Sequence, residues 1–251
     1  PRKFSLKTNY MTAVVRKNLT KVELEHIVAA AELVNHSLEE VIENRMRSYI
    51  GKTETELMNM FNIESRSKAN FERYVAGMLK IKGIVNHTDE FQKANIELKT
   101  IRIEENGNIE QNMSFPYFSF TDIVNQEWED SSFRELMINK KFLFAIFKKI
   151  NGEFVFKGIK FWHMPEEILD VDGRKVFDEL KAVLLSGNIV KGFKTQKDGK
   201  IIRLNNFPKS SSNPYIHIRP HGQDRDDMLP LPVPDKLTGL TSYTKQCFWL
   251  K

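Results

Sequence analysis

The apolar periodicity changes near residue 95, and that change limits the class of fold open to this chain. Upstream the spacing is helical. Thr20 and Glu23 stand at capping-box spacing, with apolar Val22, Leu24, Ile27, Val28 and Ala31 around and after them. Ser37 and Glu40 repeat the signature, Leu38, Val41, Ile42 and Met46 follow on one stripe, and Gly51 is a stop. Segments 55–61 and 70–81 continue the helical run. From Ile96 the period is two, with Ile96, Leu98, Thr100 and Arg102 alternating with Glu97, Lys99, Ile101 and Ile103. Asn106-Gly107 then predicts a hairpin into 109–120, and Asn151-Gly152 a second one joining 142–147 to 154–161. A long helix is predicted over 165–186, a pair of short strands around Asp198-Gly199, and strands at 215–219 and 248–250. Pro230, Pro232 and Pro234 predict an ordered extended loop. Helices followed by a mixed sheet with helices make an α+β or α/β body. The reading is one domain over 1–251, helical over about 1–85 and mixed from about 86 onward.

Cys247 is the only cysteine, so an intrachain disulfide and a thiolate zinc cluster are excluded and a reducing, cytoplasmic setting is expected. No run of ~18 apolar residues is long enough to span a membrane. The first residue is Pro1, from which a fragment of a longer polypeptide is expected. A formal net charge of +5 permits a polyanionic partner without demanding one.

Glu97 and Lys99 lie two apart on a predicted strand, so both side chains leave one face. With a further carboxylate from Asp89 or Glu90, Glu97 could hold Mg²⁺, which takes a few carboxylates together with water and phosphate oxygens. Lys99 could then orient or acidify a water beside a phosphodiester. The other reading of the same residues is a surface ion pair of small energetic value.

The neighbouring residues resemble a known family. Glu90-Phe91 … Ile96-Glu97-Leu98-Lys99-Thr100-Ile101 is similar to the D-F … E-L-K-T-I segment of the MutH family of GATC-specific endonucleases, at the same spacing. Val75-Ala76-Gly77-Met78-Leu79 resembles the helix before that family's active site, and 33–40 its early helical region. Trp128-Glu129 … Ser132 … Arg134, Tyr215 … Ile218-Arg219-Pro220 and Phe248-Trp249-Leu250 match later segments in order. The likeness runs from about residue 20 to the end and is strongest to the C-terminal half of a type II restriction endonuclease. It implies a restriction-endonuclease-like fold, Mg²⁺ in the parent enzyme, and double-stranded 5′-GATC-3′ as partner.

Three positions depart from the family pattern. The first acidic ligand's slot, seven residues before Glu97, holds Glu90, with Asp89 one place off. Lys80 stands where the family helix carries a glutamate. A family lysine just before the strand at 141–147 has no obvious counterpart: 135–138 occupies the matching stretch, with Lys140 and Lys141 nearby. The resemblance therefore implies a centre in which Glu97 and Lys99 persist with little or no hydrolysis, in a domain that need hold no metal. It further implies a non-catalytic effector domain acting on a catalytic N-terminal domain of the same polypeptide. An active Mg²⁺-dependent endonuclease using Glu97, Lys99 and Asp89 or Glu90 is the alternative, and a protein-interaction module a third.

DNA contact falls on other residues. Arg219 matches a base-reading arginine, suited to guanine O6 and N7, in preference to a surface arginine on a strand; Glu110 matches a base-contacting carboxylate and could equally be an exposed hairpin glutamate. Lys191, Lys194 and Lys197, with Lys200 and Arg203, form a basic run that either tracks phosphates or is merely solvated. Lys68 and Arg73 precede or open the Gly77 helix and are candidates for backbone phosphates. Phe248 is expected to pack, and the six histidines are assigned no site.

Overall fold

The computed structural model describes residues 11, 14–15, 24–109 and 112–251. The Thr20–Glu23 capping signal and Glu110 therefore lie outside the described residues. In chain order the helices are α1 (Leu38–Arg47), α2 (Glu54–Met60), α3 (Asn70–Leu79), α4 (Asp89–Ala94), α5 (Phe120–Ile123), α6 (Ser132–Asn139) and α7 (Arg174–Ser186), besides shorter turns. The strands are β1 (Ile96–Ile103), β2 (Met113–Tyr117), β3 (Lys141–Ile150), β4 (Glu153–Trp162), β5 (Val190–Thr195), β6 (Ile201–Asn205), β7 (Ile216–Pro220), β8 (Met228–Pro230), β9 (Ser242–Thr244) and β10 (Gln246–Leu250). The chain is α+β with a mixed sheet, and it divides into two compact units that interleave in sequence: 1–111 with 139–163, and 112–138 with 164–251.

The first unit is built on a three-stranded sheet in the order β1-β3-β4. β1 runs parallel to β3 from Ile96 opposite Lys141 to Ile103 opposite Lys148, and β3 and β4 form the expected hairpin through Asn151-Gly152. Both turn residues have positive φ, 50° and 82°, the backbone a tight hairpin demands. Helices α1, α2 and α3 bring Ile42, Met46, Leu57, Tyr74, Val75 and Met78 onto buried Leu98, Leu143, Phe147 and Phe156. Phe147 sits at the middle, with Phe71 edge-on at 4.8 Å and Phe156 at 5.2 Å. Ser37 and Thr53 cap α1 and α2 with reciprocal bonds from Glu40 and Glu56, as the sequence signature at Ser37 predicts.

Three expectations need correction. The helical reading of 24–31 fails: described residues 24–29 are irregular and only Ala30–Val34 forms a 3₁₀ turn. The reason is side-chain competition, since the Glu90 carboxylate takes the N–H groups of Ile27 and Val28, and Glu32 that of Ala29. The hairpin predicted at Asn106-Gly107 keeps its turn, with Glu104 and Asn108 bonded at 2.9 Å, but among the described residues its pairing is the single bridge Ile103–Ile109. Asn86 blocks more: its amide oxygen accepts from Leu98 N–H at 2.6 Å and its amide nitrogen donates to Leu98 C=O at 3.5 Å, filling that strand edge. The helix over 165–186 is interrupted by a π turn at Leu169–Gly173, which points Asp170 at the Trp128 indole N–H (2.8 Å) and the Arg134 guanidinium (2.7 Å).

In the second unit β2, β10 and β7 form an antiparallel sheet with β10 central, and β5–β6 and β8–β9 form two-stranded ribbons. The terminal strand expected at 248–250 is thus a sheet centre. The predicted loop at 228–236 begins as strand β8. Phe248 is buried and stacks on Phe133 at 3.8 Å, the packing role expected of it. Phe177, Leu180 and Leu184 of α7 are fully buried, and Gly187 ends the helix at φ 65°.

Because Phe147 is fully buried among aromatic rings, truncation leaves a cavity that rigid neighbours cannot close. Phe147→Ala is expected to cost about 3–5 kcal/mol. Urea unfolding checks this, and a loss below ~1 kcal/mol would contradict the packing described.

Candidate active centre and nucleic-acid interface

The short helix α4 and the start of β1 set the geometry of the centre. Asn95 ends α4 with φ 54°, a left-handed conformation that asparagine tolerates, and turns the chain directly into β1. Its carbonyl accepts from Lys141 N–H at 3.1 Å, and its side-chain amide donates to Asn139 C=O at 2.8 Å. Those two bonds fasten the start of β1 to the start of β3. Lys140, the residue between them, is thereby held over β1.

Glu97 and Lys99 project from the half-exposed face of β1, whereas Ile96 and Leu98 enter the core. The Lys99 ammonium contacts Glu97 Oε1 at 2.7 Å, and the Lys140 ammonium contacts Oε2 at 3.1 Å. Each carboxylate oxygen thus has its own cation. Burial pushes the Glu97 carboxyl up, but the hydrogen bonds and charges of Lys99 and Lys140 outweigh it and hold it below the ordinary carboxylate value. Glu97 and Lys140 border an open recess of about 220 Å³, with Asn86, His87 and Gln92 on its walls.

Asp89 and Glu90 are directed elsewhere. Asp89 is buried and pairs with Lys93 at 2.6 Å, one helical turn on. Glu90 accepts from the backbone of Ile27 at 3.0 Å and meets the His26 ring at 3.2 Å. Among the described residues no group of three His, Cys, Asp or Glu side chains converges to hold a metal ion. This donor set does not fit a divalent cation, which wants unencumbered carboxylates. Glu97 with two ammoniums carries a net positive charge and favours an anion instead. Lys80 is exposed at the C-terminal cap of α3.

The DNA candidates divide between the units. Lys68, in the turn before α3, and Arg73, on the outer face of α3, are exposed in the first. Lys191, Lys194 and Lys197 are exposed on the β5–β6 ribbon of the second. Arg219 is exposed on β7, with its guanidinium 5.1 Å over the Trp249 ring and no carboxylate partner among the described residues. Behind it His217 is fully buried, and burial, then the charges of Arg219 and Lys251, hold its pKa down at about 4. The histidine is therefore neutral at physiological pH. Cys247, opposite Arg219 on β10, is buried and its thiol is pushed up to about 11, so it is not a reactive thiolate.

Comparison with known proteins decides the kinship. The family profile of the DNA mismatch repair enzyme MutH matches residues 79–149, a stretch containing Glu97, Lys99 and Lys140. Over an alignment of 279 positions the chain is 31% identical to the type II restriction enzyme Sau3AI of Staphylococcus aureus, covering 99% of this chain. The chain belongs to the MutH/Sau3AI family. It therefore has that family's restriction-endonuclease-like fold and its restriction-nuclease, DNA-binding ancestry. Restriction-endonuclease-like proteins generally use Mg²⁺. The chain spans 57% of the length of the Sau3AI enzyme it matches. Among the described residues no helix is long and apolar enough to cross a membrane.

Sequence reasoning missed Lys140 as the partner of Glu97, and Asn86 and His26 as residues that engage Leu98 and Glu90. A lysine at the residue before β3 was the available signal for the first. For the others no local pattern existed, because their partners lie 12 and 64 positions away.

The depressed pKa of Glu97 has a signed consequence. Its folded value lies below the unfolded one, so its contribution to stability is present above the unfolded carboxylate range and is lost as pH falls through the folded value. Lys140→Met is expected to raise the Glu97 carboxyl pKa, read from its ¹³C chemical shift against pH. Glu97→Gln is expected to flatten the acid limb of stability, from the ordinary carboxylate range downward. An unchanged Glu97 titration in Lys140→Met would show that the second ammonium does not act on it.

Proposed function

We propose that this chain is a non-catalytic, DNA-binding domain of a type II restriction endonuclease, recognising double-stranded 5′-GATC-3′. In this reading it acts as an effector for a catalytic N-terminal domain of the same cytoplasmic polypeptide, and Mg²⁺ serves that catalytic half. The observation that carries the proposal is Glu97 held on both oxygens by Lys99 and Lys140, while Asp89 and Glu90 are committed to other partners. A metal at that carboxylate would sit beside two ammoniums, whose charges oppose it. The residues suited to holding DNA keep their cationic groups exposed: Arg219 for a base edge, and Lys68, Arg73, Lys191, Lys194 and Lys197 for phosphates. Glu110 stays a candidate for a base amine by resemblance alone.

Partial coverage of the Sau3AI sequence supports a further domain in the parent polypeptide. The rival reading, an active Mg²⁺-dependent nuclease, draws on Glu97 and Lys99 sharing one face beside a recess.

Binding to a labelled GATC duplex and to a permuted duplex, at one fixed salt concentration, tests recognition. The expected outcome is tighter binding to GATC, with Arg219→Ala losing about 1–3 kcal/mol of that discrimination. Equal affinity for the two duplexes overturns specific recognition. Incubation with Mg²⁺ and a GATC plasmid is expected to leave the plasmid intact. Cleavage that disappears in Glu97→Ala would establish the rival.

A further inference from the structure

Strand alternation separates two surfaces of the second unit. On β7 and β10, Arg219 is registered opposite Cys247, and Pro220 opposite Gln246. Directly opposed residues share a face and successive residues change face. Arg219 therefore projects from one side of the sheet, and Pro220 and Gln246 from the other.

On the Pro220 side lies an open groove of about 1060 Å³ between the β5–β6 ribbon and the segment around Arg225. Its chemistry is specific. Phe193 is 56% exposed and is registered directly opposite Arg203. The Arg203 guanidinium lies 5.3 Å over the ring of buried Tyr243, so that ring supports one face of the cation and the other is available for stacking. Arg203 and Lys200 have no carboxylate partner among the described residues. Of the groove's two carboxylates, Asp224 accepts through one oxygen from the N–H groups of Asp226 and Asp227, and Asp226 pairs with Arg225 at 3.6 Å.

Gln246 supplies an independent observation. The residue is 1% exposed and lines the groove; its amide nitrogen donates to Thr244 C=O at 3.0 Å, while its Oε1 is closed to solvent and has no hydrogen-bond partner. An orphaned buried acceptor costs free energy unless a donor reaches it. A ligand that brings an N–H donor, a stacking surface and negative charge satisfies all three features of the groove.

We infer that this groove binds an unpaired stretch of nucleic-acid strand. One base stacks on Phe193 and the Arg203 plane, the backbone phosphates lie along Arg203 and Lys200, and a base-edge N–H donates to Gln246 Oε1 once that side chain turns toward the groove. The inference favours a single strand over a duplex because paired, stacked bases present no free face to an aromatic side chain. It rests on the reading above only for the class of partner, since the site is on the opposite face from Arg219.

Fluorescence anisotropy tests it with a labelled single strand of about 12 nucleotides that lacks GATC, within the ~4–16 nucleotide span of such sites. The same protein is titrated in parallel with the GATC duplex. Phe193→Ala is expected to weaken single-strand binding about tenfold, Phe193→Tyr to retain it, and both to leave duplex affinity within about twofold. Single-strand affinity that is absent in the unaltered protein, or untouched by Phe193→Ala, overturns the inference and leaves the groove to a protein partner. An equal loss of duplex and single-strand binding in Phe193→Ala also overturns it. If the unaltered protein showed no GATC preference but kept Phe193-dependent single-strand binding, the reading of the domain as a GATC effector would fail and this one would stand.

Discussion

The parallel seam between β1 and β3 determines what the first unit can do. Parallel strands cannot be joined by a tight turn, so the chain leaves after β1 and returns at β3, and the intervening residues supply β2, α5 and α6 of the second unit. The seam is fastened at its start by Asn95, which bonds both Lys141 and Asn139. A shift of one residue would carry Glu97 and Lys99 into the core and Leu98 out of it. The same fastening holds Lys140 against the second oxygen of Glu97, so register and electrostatics at the centre are one constraint.

That constraint changes the chemistry a Glu-x-Lys strand can support. One lysine beside a carboxylate leaves an oxygen free for a cation. Two lysines, one on each oxygen, leave lone pairs on the carboxylate but reverse the sign of the local field against a metal. The two cations also account for a carboxyl that titrates below its usual range in spite of partial burial. Release of Lys140 to make a metal ligand would leave an ammonium that is only 15% exposed without its partner, which is costly in a partly desolvated setting.

Much of the fold was legible because local signals agreed with tertiary demand. The capping box at Ser37, the Asn151-Gly152 and Asp198-Gly199 turns, and the alternation of Ile96 to Leu98 all stand in the structure. The failures share a cause. Glu90 captured the backbone of Ile27 and Val28, Asn86 filled the free edge of Leu98, and Gly173 packed near enough to Trp128 to go with a π turn rather than a continuous helix. Each is a long-range side-chain contact, invisible to periodicity. At the centre, the spacing of Glu97 and Lys99 carried the ion pair, but nothing in the stretch 135–141 says which lysine the β1–β3 register selects. Only the parallel pairing chooses Lys140.

The same dependence on register extends to the second unit, where it assigns separate work to neighbouring residues. Arg219 and Pro220 are adjacent in sequence, yet the pleat sends them to opposite sides of β7. His217, on Arg219's side, is buried and neutral, so the positive charge there is concentrated on the guanidinium above Trp249. Gln246, on the side of Pro220, keeps a buried, unsatisfied oxygen beside a groove that also holds Arg203 and Lys200. β10 is central in that sheet, and its Phe248 stacks on Phe133 at 3.8 Å, so the pleat that separates Arg219 from Pro220 is anchored in the core of the unit.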